Sequence, residues 1–184
     1  LHDALPISVK PVYVNDTAVE IVSEYKYLGT IIDDKLNWNI NTENVYKKCQ
    51  QRLHFLRKLR SFGVDVKLLK LFYTSFVQSV WSFGMQCWYN SLSLQNKNKI
   101  IKIVNISSKI VGTILDHPDY VNEKKSLSHA QKIICDSTHI LCNEYTLLPS
   151  GRRYKVPCFK SNRSKKSFIP YTISLLNDVD KKKL

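Results

Sequence analysis

Residues 24–63 combine a short β-forming run with a long amphipathic helix, and this pairing constrains the fold more than any other part of the sequence. Residues 25–32 are rich in aromatic and β-branched side chains, which favours a half-buried strand. Gly29 interrupts that strand and predicts a bulge or the close approach of another backbone. After an acidic break, Asn41 or Thr42 can cap a helix that stops at a glycine. The sequence thus predicts a strand that leads directly into a helix.

The two faces of this helix differ in chemistry. One face carries apolar side chains at helical spacing, namely Val45, Cys49, Leu53, Leu56 and Leu59. Lys47, His54 and Lys58 lie together on the opposite side. Arg52 falls within the apolar face, so we expect its charged end to reach solvent or an acid. The basic side is either a solvated surface of a structural helix or a surface that follows a nucleic-acid backbone.

The flanking segments predict a small sheet before this helix and a helical bundle after it. Residues 9–22 alternate apolar and polar side chains around a turn signal at 15–16, as in a β-hairpin. Residues 65–83 are apolar over more than half of a helical circumference, which favours a central place in a bundle. Residues 94–112 predict a third helix with one polar face, and residues 127–142 predict a fourth helix or two short ones. The aromatic side chains at 84–93 should pack against these helices, although exposed ones could stack on bases.

Charge is the unusual feature of the composition. The chain has 28 lysines and arginines and 15 acids, which gives a formal net charge of +13. Such an excess favours polyanionic partners, either nucleic acid or an anionic membrane. No apolar run is long enough to span a bilayer, and the 5 cysteines lack the paired spacing of a disulfide framework. We therefore expect an intracellular protein, nuclear or cytoplasmic, that is not secreted.

The strand and helix at 24–63 are similar to a segment of a known family. The run YKYLG at 25–29, the acidic turn, the run LNW at 36–38 and the basic helix resemble the end of the reverse transcriptase domain of LINE-type (non-LTR) retrotransposons. In that family the Leu-Gly strand belongs to the primer grip, where the palm meets the thumb. The resemblance therefore implies nucleic-acid contact at Tyr27, Leu28 and Gly29.

The same resemblance continues to the end of the chain. Residues 147–153 read LLPSGRR, and residues 167–177 read SFIPYTISLLN. Both runs resemble the C-terminal end of vertebrate LINE polyproteins, where a basic Asn-Arg segment lies between them. The resemblance implies that this chain runs from the primer grip through the thumb to the C-terminus of such a protein.

The catalytic part of that family is missing here. Reverse transcription needs carboxylates that hold two metal ions, and the family places them in an aromatic-x-Asp-Asp turn. The Asp33-Asp34 pair follows two isoleucines and lies downstream of the primer-grip-like strand. We therefore expect no catalytic residue and no cofactor in this chain. The resemblance implies that Mg²⁺ belongs to a missing palm domain, and that palm and endonuclease domains are partners of this fragment.

Binding is the function that remains. Lysine and arginine side chains neutralise phosphates and release counterions, so affinity should fall steeply with salt and show weak sequence preference. We expect RNA and DNA as partners and no membrane. Besides the primer-grip-like residues, the candidate contacts are Lys47, Lys48, Lys58, Arg60, Arg152, Arg153, Arg163, Lys165 and Lys166. The alternative is that these side chains only keep the surface soluble.

A second resemblance points to another class of protein. Residues 25–62 are also similar to the N-terminal region of an AlkB-type tRNA-modifying enzyme, in which an oxygenase is joined to a methyltransferase. His117 and Asp119, with His129 or His139, fit the ligand formula of an iron oxygenase on paper. That site needs a β-barrel, whereas this half of the chain predicts helices and loops, and it shows no Gly-rich loop for a methyl donor.

Two further interpretations stay open. Cys135, His139 and Cys142 lie on neighbouring turns if that stretch is helical, and Cys158 could complete a zinc site, although the spacing fits no standard zinc motif. Buried thiols are the alternative there. The whole chain could also be a helical interaction module without a nucleic-acid role.

The predicted architecture is α+β, with a small antiparallel β-sheet followed by a mainly α-helical thumb-like bundle and a basic, partly irregular C-terminal tail. We predict a non-native leader at 1–8 and a β-hairpin with the primer-grip-like strand at 9–34. The helical domain should occupy 38–142 and the basic tail 143–184.

Overall fold

The computed structural model describes residues 11–159 and 161–181, with side chains up to residue 178. The predicted leader at 1–8 lies outside the described residues. Strands β1 (Tyr13–Val14) and β2 (Thr17–Ala18) pair antiparallel. Asn15 and Asp16 between them both have positive φ, at 47° and 60°. This is the two-residue hairpin turn that the sequence predicted, because asparagine and aspartate tolerate that conformation.

A second hairpin replaces the single strand predicted at 25–32. Strands β3 (Glu24–Tyr27) and β4 (Thr30–Asp33) pair antiparallel, with Tyr27 opposite Thr30. Leu28 and Gly29 form the turn, with φ of 46° and 89°. The bulge expected at Gly29 is therefore wrong, since both turn residues adopt the left-handed conformation that reverses the chain. Among the described residues the β part is two separate hairpins instead of one sheet.

Helix α1 (Asn39–Ser61) is the predicted amphipathic helix. The predicted apolar face is confirmed, because its first four members are buried and the fifth packs against them: Val45, Cys49, Leu53, Leu56 and Leu59. The expected cap at Asn41 or Thr42 is wrong. Trp38 precedes the helix with φ of 63°, and Thr42 Oγ1 donates to its carbonyl at 2.8 Å. Asn41 Oδ1 accepts from the Ile31 amide at 3.1 Å, which joins the helix to β4.

The next helix runs through three segments, α2 (Val66–Phe72), a π-helical stretch (Tyr73–Gln78) and α3 (Ser79–Trp81). Its fully buried side chains recur at every fourth position, namely Leu69, Tyr73, Val77 and Trp81. An α-helix has about 3.6 residues per turn, so such a repeat drifts around the axis. The wider π turn offsets this drift and keeps the four side chains on one face.

The prediction that this helix lies centrally in the bundle is wrong for its outer face. Leu68, Leu71 and Phe76 are more than half exposed. They lie beside Phe55 of α1 and beside Phe62, which directly follows α1. An apolar face of the α1–α2 pair therefore remains uncovered within the described chain.

The aromatic break is buried, as expected. It forms α4 (Met85–Trp88) and a 3₁₀ turn (Tyr89–Ser91), and Trp88 and Tyr89 are both enclosed in the main core. Helix α5 (Leu94–Val111) then confirms the predicted third helix. It begins after the Ser93 side-chain cap and ends at a glycine in the left-handed conformation.

Helix α6 (Pro118–Cys135) begins nine residues before the predicted fourth helix and ends seven residues earlier. The polar stretch around His117 starts this helix. The His117 side chain caps the helix by accepting from the Asp119 amide, and proline occupies its first turn. Turns and a 3₁₀ segment (Cys142–Glu144) follow.

The basic tail is partly irregular, as predicted, but it ends in an unpredicted helix. The short helix α7 (Asn162–Lys165) precedes α8 (Phe168–Lys181). Helix α8 packs on α6 through a second small core of Ala130, Ile133, Tyr145 and Ile173. Tyr145 and Thr172 are also hydrogen-bonded through their hydroxyls at 2.8 Å. The fold is α+β, as expected.

Candidate nucleic-acid interface

The turn between β3 and β4 forms one wall of a cleft of about 300 Å³. The opposite wall is α1, and α3 with the chain just after it closes one side. We call it the hairpin cleft, and its lining is Leu28, Gly29, Thr30, Asn41, Val45, Lys48, Arg52, Ser79, Val80 and Phe83. Three of the sequence-predicted binding residues, Leu28, Gly29 and Lys48, therefore meet at one place.

Two cations define the electrostatics of the hairpin cleft. Lys48 and Arg52 are one helical turn apart, so their side chains lie on the same face of α1. The Arg52 guanidinium donates to the Phe76 carbonyl through Nη1, which fixes its position between α1 and the π-helical stretch. We had expected Arg52 to reach solvent or an acid. The structure instead gives it a backbone carbonyl, which leaves its charge without a neutralising partner in that contact.

The turn residues shape the entrance of this cleft. Leu28 is 75% exposed although it is apolar. Gly29 lies in the left-handed region, and a Cβ there would sit 3.9 Å from the Phe83 ring. A glycine at this position therefore serves the turn, because the space itself would admit a small side chain. Tyr27 is also exposed, at the last position of β3.

The remaining α1 cations lie outside the hairpin cleft. Lys47 is exposed on the neighbouring face, and Lys58 and Arg60 are exposed in the last turn. Cations at a helix C-terminus interact favourably with the helix dipole, which gives Lys58 and Arg60 a structural role as well.

An apolar groove lies next to these C-terminal cations, between α1 and α2. Its two adjoining parts measure about 470 and 430 Å³. The lining is Arg52, Phe55, Lys58, Leu59, Phe62, Val64, Leu68, Leu71, Phe72, Ser75 and Phe76. The sequence pattern did not predict this groove, because a segment as apolar as residues 65–83 is expected to lie in the core.

One tail cation reaches the β4–α1 loop. Arg163 Nη2 donates to the Lys35 carbonyl at 2.8 Å, so α7 lies beside the start of α1. Lys165 and Lys166 are exposed in the same short segment. Arg152 and Arg153 are exposed after a turn in which the Leu148 amide donates to the Arg153 carbonyl at 2.7 Å.

A second basic cleft, which the sequence analysis missed, lies along α6. Its volume is about 610 Å³, and its lining is Gln78, Gln86, Asp116, Val121, Lys124, Lys125, Ser128, His129 and Lys132. We call it the α6 cleft. The spacing of Lys125, His129 and Lys132 places them on one helical face. The sequence contains this spacing, but the predicted fourth helix began at residue 127 and so included His129 and Lys132 without Lys125.

Lys125 is the most constrained cation of the α6 cleft. Its Nζ donates to the Ser82 carbonyl at 3.1 Å and to Ser82 Oγ at 2.8 Å. Partial burial lowers the pKa of Lys125, because the ammonium loses part of its hydration. Hydrogen bonds from two of its three N–H groups hold the ammonium at the edge of the cleft.

The predicted metal candidates do not come together. Helix α6 ends at Cys135, so His139 and Cys142 lie in the turns that follow it and not on the same helix. His139 Nδ1 instead accepts from the Leu141 amide at 3.1 Å. In the described part of the chain, no group of three or more histidine, cysteine or acidic side chains is arranged to hold a metal ion.

The iron-oxygenase formula also finds no matching geometry. His117 and Asp119 belong to the start of α6 and face each other, with Nδ1 and Oδ2 3.3 Å apart. The described strands form two hairpins and no barrel. The formula in the sequence is therefore the cap of a helix.

The acidic pair at the end of β4 is divided between core and surface. Asp33 is buried, and its carboxylate accepts from the amides of Lys35, Asn37 and Trp38 at 3.0 to 3.1 Å. Asp34 is exposed. Asp33 therefore organises the loop that leads into α1.

The described helices include none with both the length and the hydrophobicity needed to cross a bilayer.

The fold and its clefts define a small α+β protein with cationic clefts on a helical framework, and comparisons with known proteins add two partial likenesses. The chain is 25% identical over 113 residues to the probable RNA-directed DNA polymerase from transposon BS of Drosophila melanogaster. That alignment takes in 60% of this chain and 12% of the relative, so the chain spans far less than two thirds of that protein. The family model described as alkylated DNA repair protein alkB homolog 8, N-terminal, matches residues 38–79. No solved structure matches the chain significantly.

Proposed function

We propose that this chain is the nucleic-acid-binding part of a LINE-type RNA-directed DNA polymerase, and that it contributes binding without catalytic carboxylates. The observation that carries the proposal is the hairpin cleft, where Leu28 and Gly29 of the primer-grip-like run meet Lys48 and Arg52. The partial likeness to a transposon polymerase supports it. In this proposal RNA and DNA are the partners, and any Mg²⁺ belongs to a palm domain.

The cleft suits the backbone of a single strand. The absence of a side chain at Gly29 lets a sugar–phosphate chain approach the turn closely. Lys48 and Arg52 would contact neighbouring phosphates, and Arg52 is already held in place by the Phe76 carbonyl. The exposed Leu28 side chain would pack against a sugar or a base. Such contacts position a strand and read little of its sequence.

The other predicted cations would extend this surface. Lys47, Lys58 and Arg60 continue along exposed positions of α1, and the link from Arg163 to the β4–α1 loop brings α7 close to the start of that helix. Helix α1 and the tail would then form the thumb-like binding surface, in which Arg152, Arg153, Lys165 and Lys166 also take part.

Charge reversal tests this surface. Lys48→Glu should weaken binding of a short single-stranded RNA or DNA about tenfold at low salt and lower the slope of log K against log salt by roughly one. Reversing Lys47, Lys58, Arg152 and Arg153 together should lower that slope by roughly three to four. Fluorescence anisotropy across about 50 to 200 mM salt measures both effects.

Lys70→Glu is the matched control, because Lys70 is exposed on α2 and lines neither cleft. It changes the net charge equally and should have a much smaller effect. If Lys48→Glu and Lys70→Glu weaken binding to the same extent, the hairpin cleft is not the binding site. If the fourfold variant keeps the wild-type affinity at low salt, the proposal fails altogether.

A second candidate function follows from the match to the N-terminal model of alkB homolog 8. The matched residues 38–79 comprise α1, α2, the π-helical stretch and the first residue of α3, and they include both cations of the hairpin cleft. In this alternative the same helices form an accessory module for tRNA modification, without an oxygenase site of their own. We expect intact tRNA and an unstructured RNA of equal length to bind within about threefold of each other, because backbone contacts set affinity. A preference of tenfold or more for tRNA, measured in the same anisotropy assay, would favour the alternative.

A further inference from the structure

We propose that the α6 cleft binds the phosphorylated end of a nucleic-acid strand. This inference rests on the proposed function and adds a second, chemically distinct subsite to it. The α6 cleft and the hairpin cleft are separated by the helix of residues 66–81. Gln78 lines the α6 cleft, whereas Ser79 and Val80 line the hairpin cleft.

The charge of the α6 cleft favours an anion. Its described lining carries three lysines and one histidine against a single acid, Asp116. In the described part of the chain, Lys97 and Lys99 are the lysines that form ion pairs with acids. The three lysines of the α6 cleft form none there. Several cations around one concave space favour a compact anion more than they favour an extended chain of single charges.

The position of Lys125 gives this cleft a fixed donor. Ser82, which holds its ammonium through the carbonyl and the hydroxyl, is itself buried. Two of the three ammonium N–H groups are thus directed at Ser82, and the third remains for a ligand in the cleft. A phosphate oxygen placed there would accept a hydrogen bond from the ammonium and compensate for the hydration lost to burial.

The other lining groups complete a site for a terminal phosphate. A phosphomonoester carries about −1.5 to −2 charge at neutral pH and three acceptor oxygens, whereas an internal phosphodiester carries one charge. Lys124 and Lys132 flank Lys125 on α6, and the Ser128 hydroxyl adds a neutral donor. The His129 ring packs against the Phe168 ring of α8, with centroids 5.2 Å apart, which limits its movement.

The size and the remaining polar groups favour a nucleotide over a bare ion. A volume of about 610 Å³ is within the range of small-molecule sites and exceeds what a phosphate group needs. The Gln78 and Gln86 amides supply donors and acceptors for a sugar or a base edge on the wall opposite α6. The terminal nucleotide of a strand offers both a phosphate for the cations and a sugar and base for the two amides.

Strands that differ only at their ends test the inference. The full chain is titrated with one labelled oligonucleotide carrying a 5′-phosphate, a 3′-phosphate or hydroxyls at both ends. We expect one phosphorylated form to bind about tenfold more tightly than the hydroxyl form, because the additional charge meets several cations. The double variant Lys125→Gln and Lys132→Gln should remove this preference and leave the hydroxyl strand's affinity within about twofold.

Two controls keep the result interpretable. The first is Lys132→Gln alone, which guards against a Lys125 change that loosens the contact with Ser82. Lys132 is an exposed residue of the cleft lining, so this variant should reduce the preference without affecting folding. Lys67→Gln and Lys70→Gln together, at exposed positions of α2, should leave the preference intact. Adenosine monophosphate and inorganic pyrophosphate serve as competitors that distinguish a strand end from a free phosphate compound.

Each outcome decides a separate question. If all three strands bind equally in a salt-dependent manner, the terminal-phosphate inference is overturned while the proposed function stands. If adenosine monophosphate or pyrophosphate binds as tightly as the phosphorylated strand, the cleft is a site for free phosphate compounds and the inference is likewise overturned. If no strand binds with a salt dependence, the proposed function itself fails, and the inference fails with it.

Discussion

Replacing Asp33 with alanine is expected to lower the free energy of unfolding by about 2–4 kcal/mol. The buried carboxylate accepts three backbone N–H groups in the loop before α1, from Lys35, Asn37 and Trp38. Two of these residues are exposed and can turn to water, but Trp38 is buried and its amide would lose its partner. The left-handed conformation at Trp38, which starts α1 without a side-chain cap, would lose its main restraint.

The adjacent aspartate provides the control. Asp34→Ala changes the same residue type one position later at an exposed site, so we expect an effect within about 0.5 kcal/mol. Urea unfolding followed by circular dichroism measures both variants. Equal losses at the two positions would contradict the structural role of Asp33, and unchanged stability at both would reopen the question of what the acidic pair does.

This loop shows why the sequence predicted the helix but not its start. The apolar repeat of α1 is a local signal, and four of its five residues are buried as expected. The start depends instead on Asp33, which lies in another element and replaces the cap expected at Asn41 or Thr42. The same limit applies to α6. Its first turn is polar, and what makes it a helix is the His117 cap and the buried face that packs on α4 and α8.

The candidate site could be predicted only in part, because some of its contacts join residues that are distant in the sequence. The resemblance to the primer grip implied contact at Leu28 and Gly29, and Lys48 was a candidate as a cation of the first helix; these three residues meet in the hairpin cleft. Arg52 was recognised as unusual, but its role depends on the Phe76 carbonyl, which is 24 residues away. The α6 cleft combines residues from three separate parts of the chain. The spacing of Lys125, His129 and Lys132 is a local pattern, but their meeting with Gln78 and Gln86 depends on the fold.

The clearest contrast between apolar sequence and actual burial lies within α1. Leu53→Ala is expected to lower the free energy of unfolding by about 2–5 kcal/mol, because this side chain is fully buried and its loss leaves a cavity. Phe55→Ala removes a larger side chain two residues away, yet we expect a loss below about 1 kcal/mol. Phe55 is 57% exposed at the rim of the apolar groove, so little of its surface is buried by folding.

Urea unfolding followed by circular dichroism measures the loss of stability in both variants. Both positions are changed to alanine on the same helix, so differences in helix propensity do not obscure the comparison. The two predictions are independent in mechanism, since one measures the burial of α1 in the main core and the other measures the uncovered face of the α1–α2 pair. A loss of several kcal/mol for Phe55→Ala would mean that this face is covered in solution, which would make the groove a contact surface already in use. A small loss for Leu53→Ala would place α1 outside the core and remove the support on which the hairpin cleft depends.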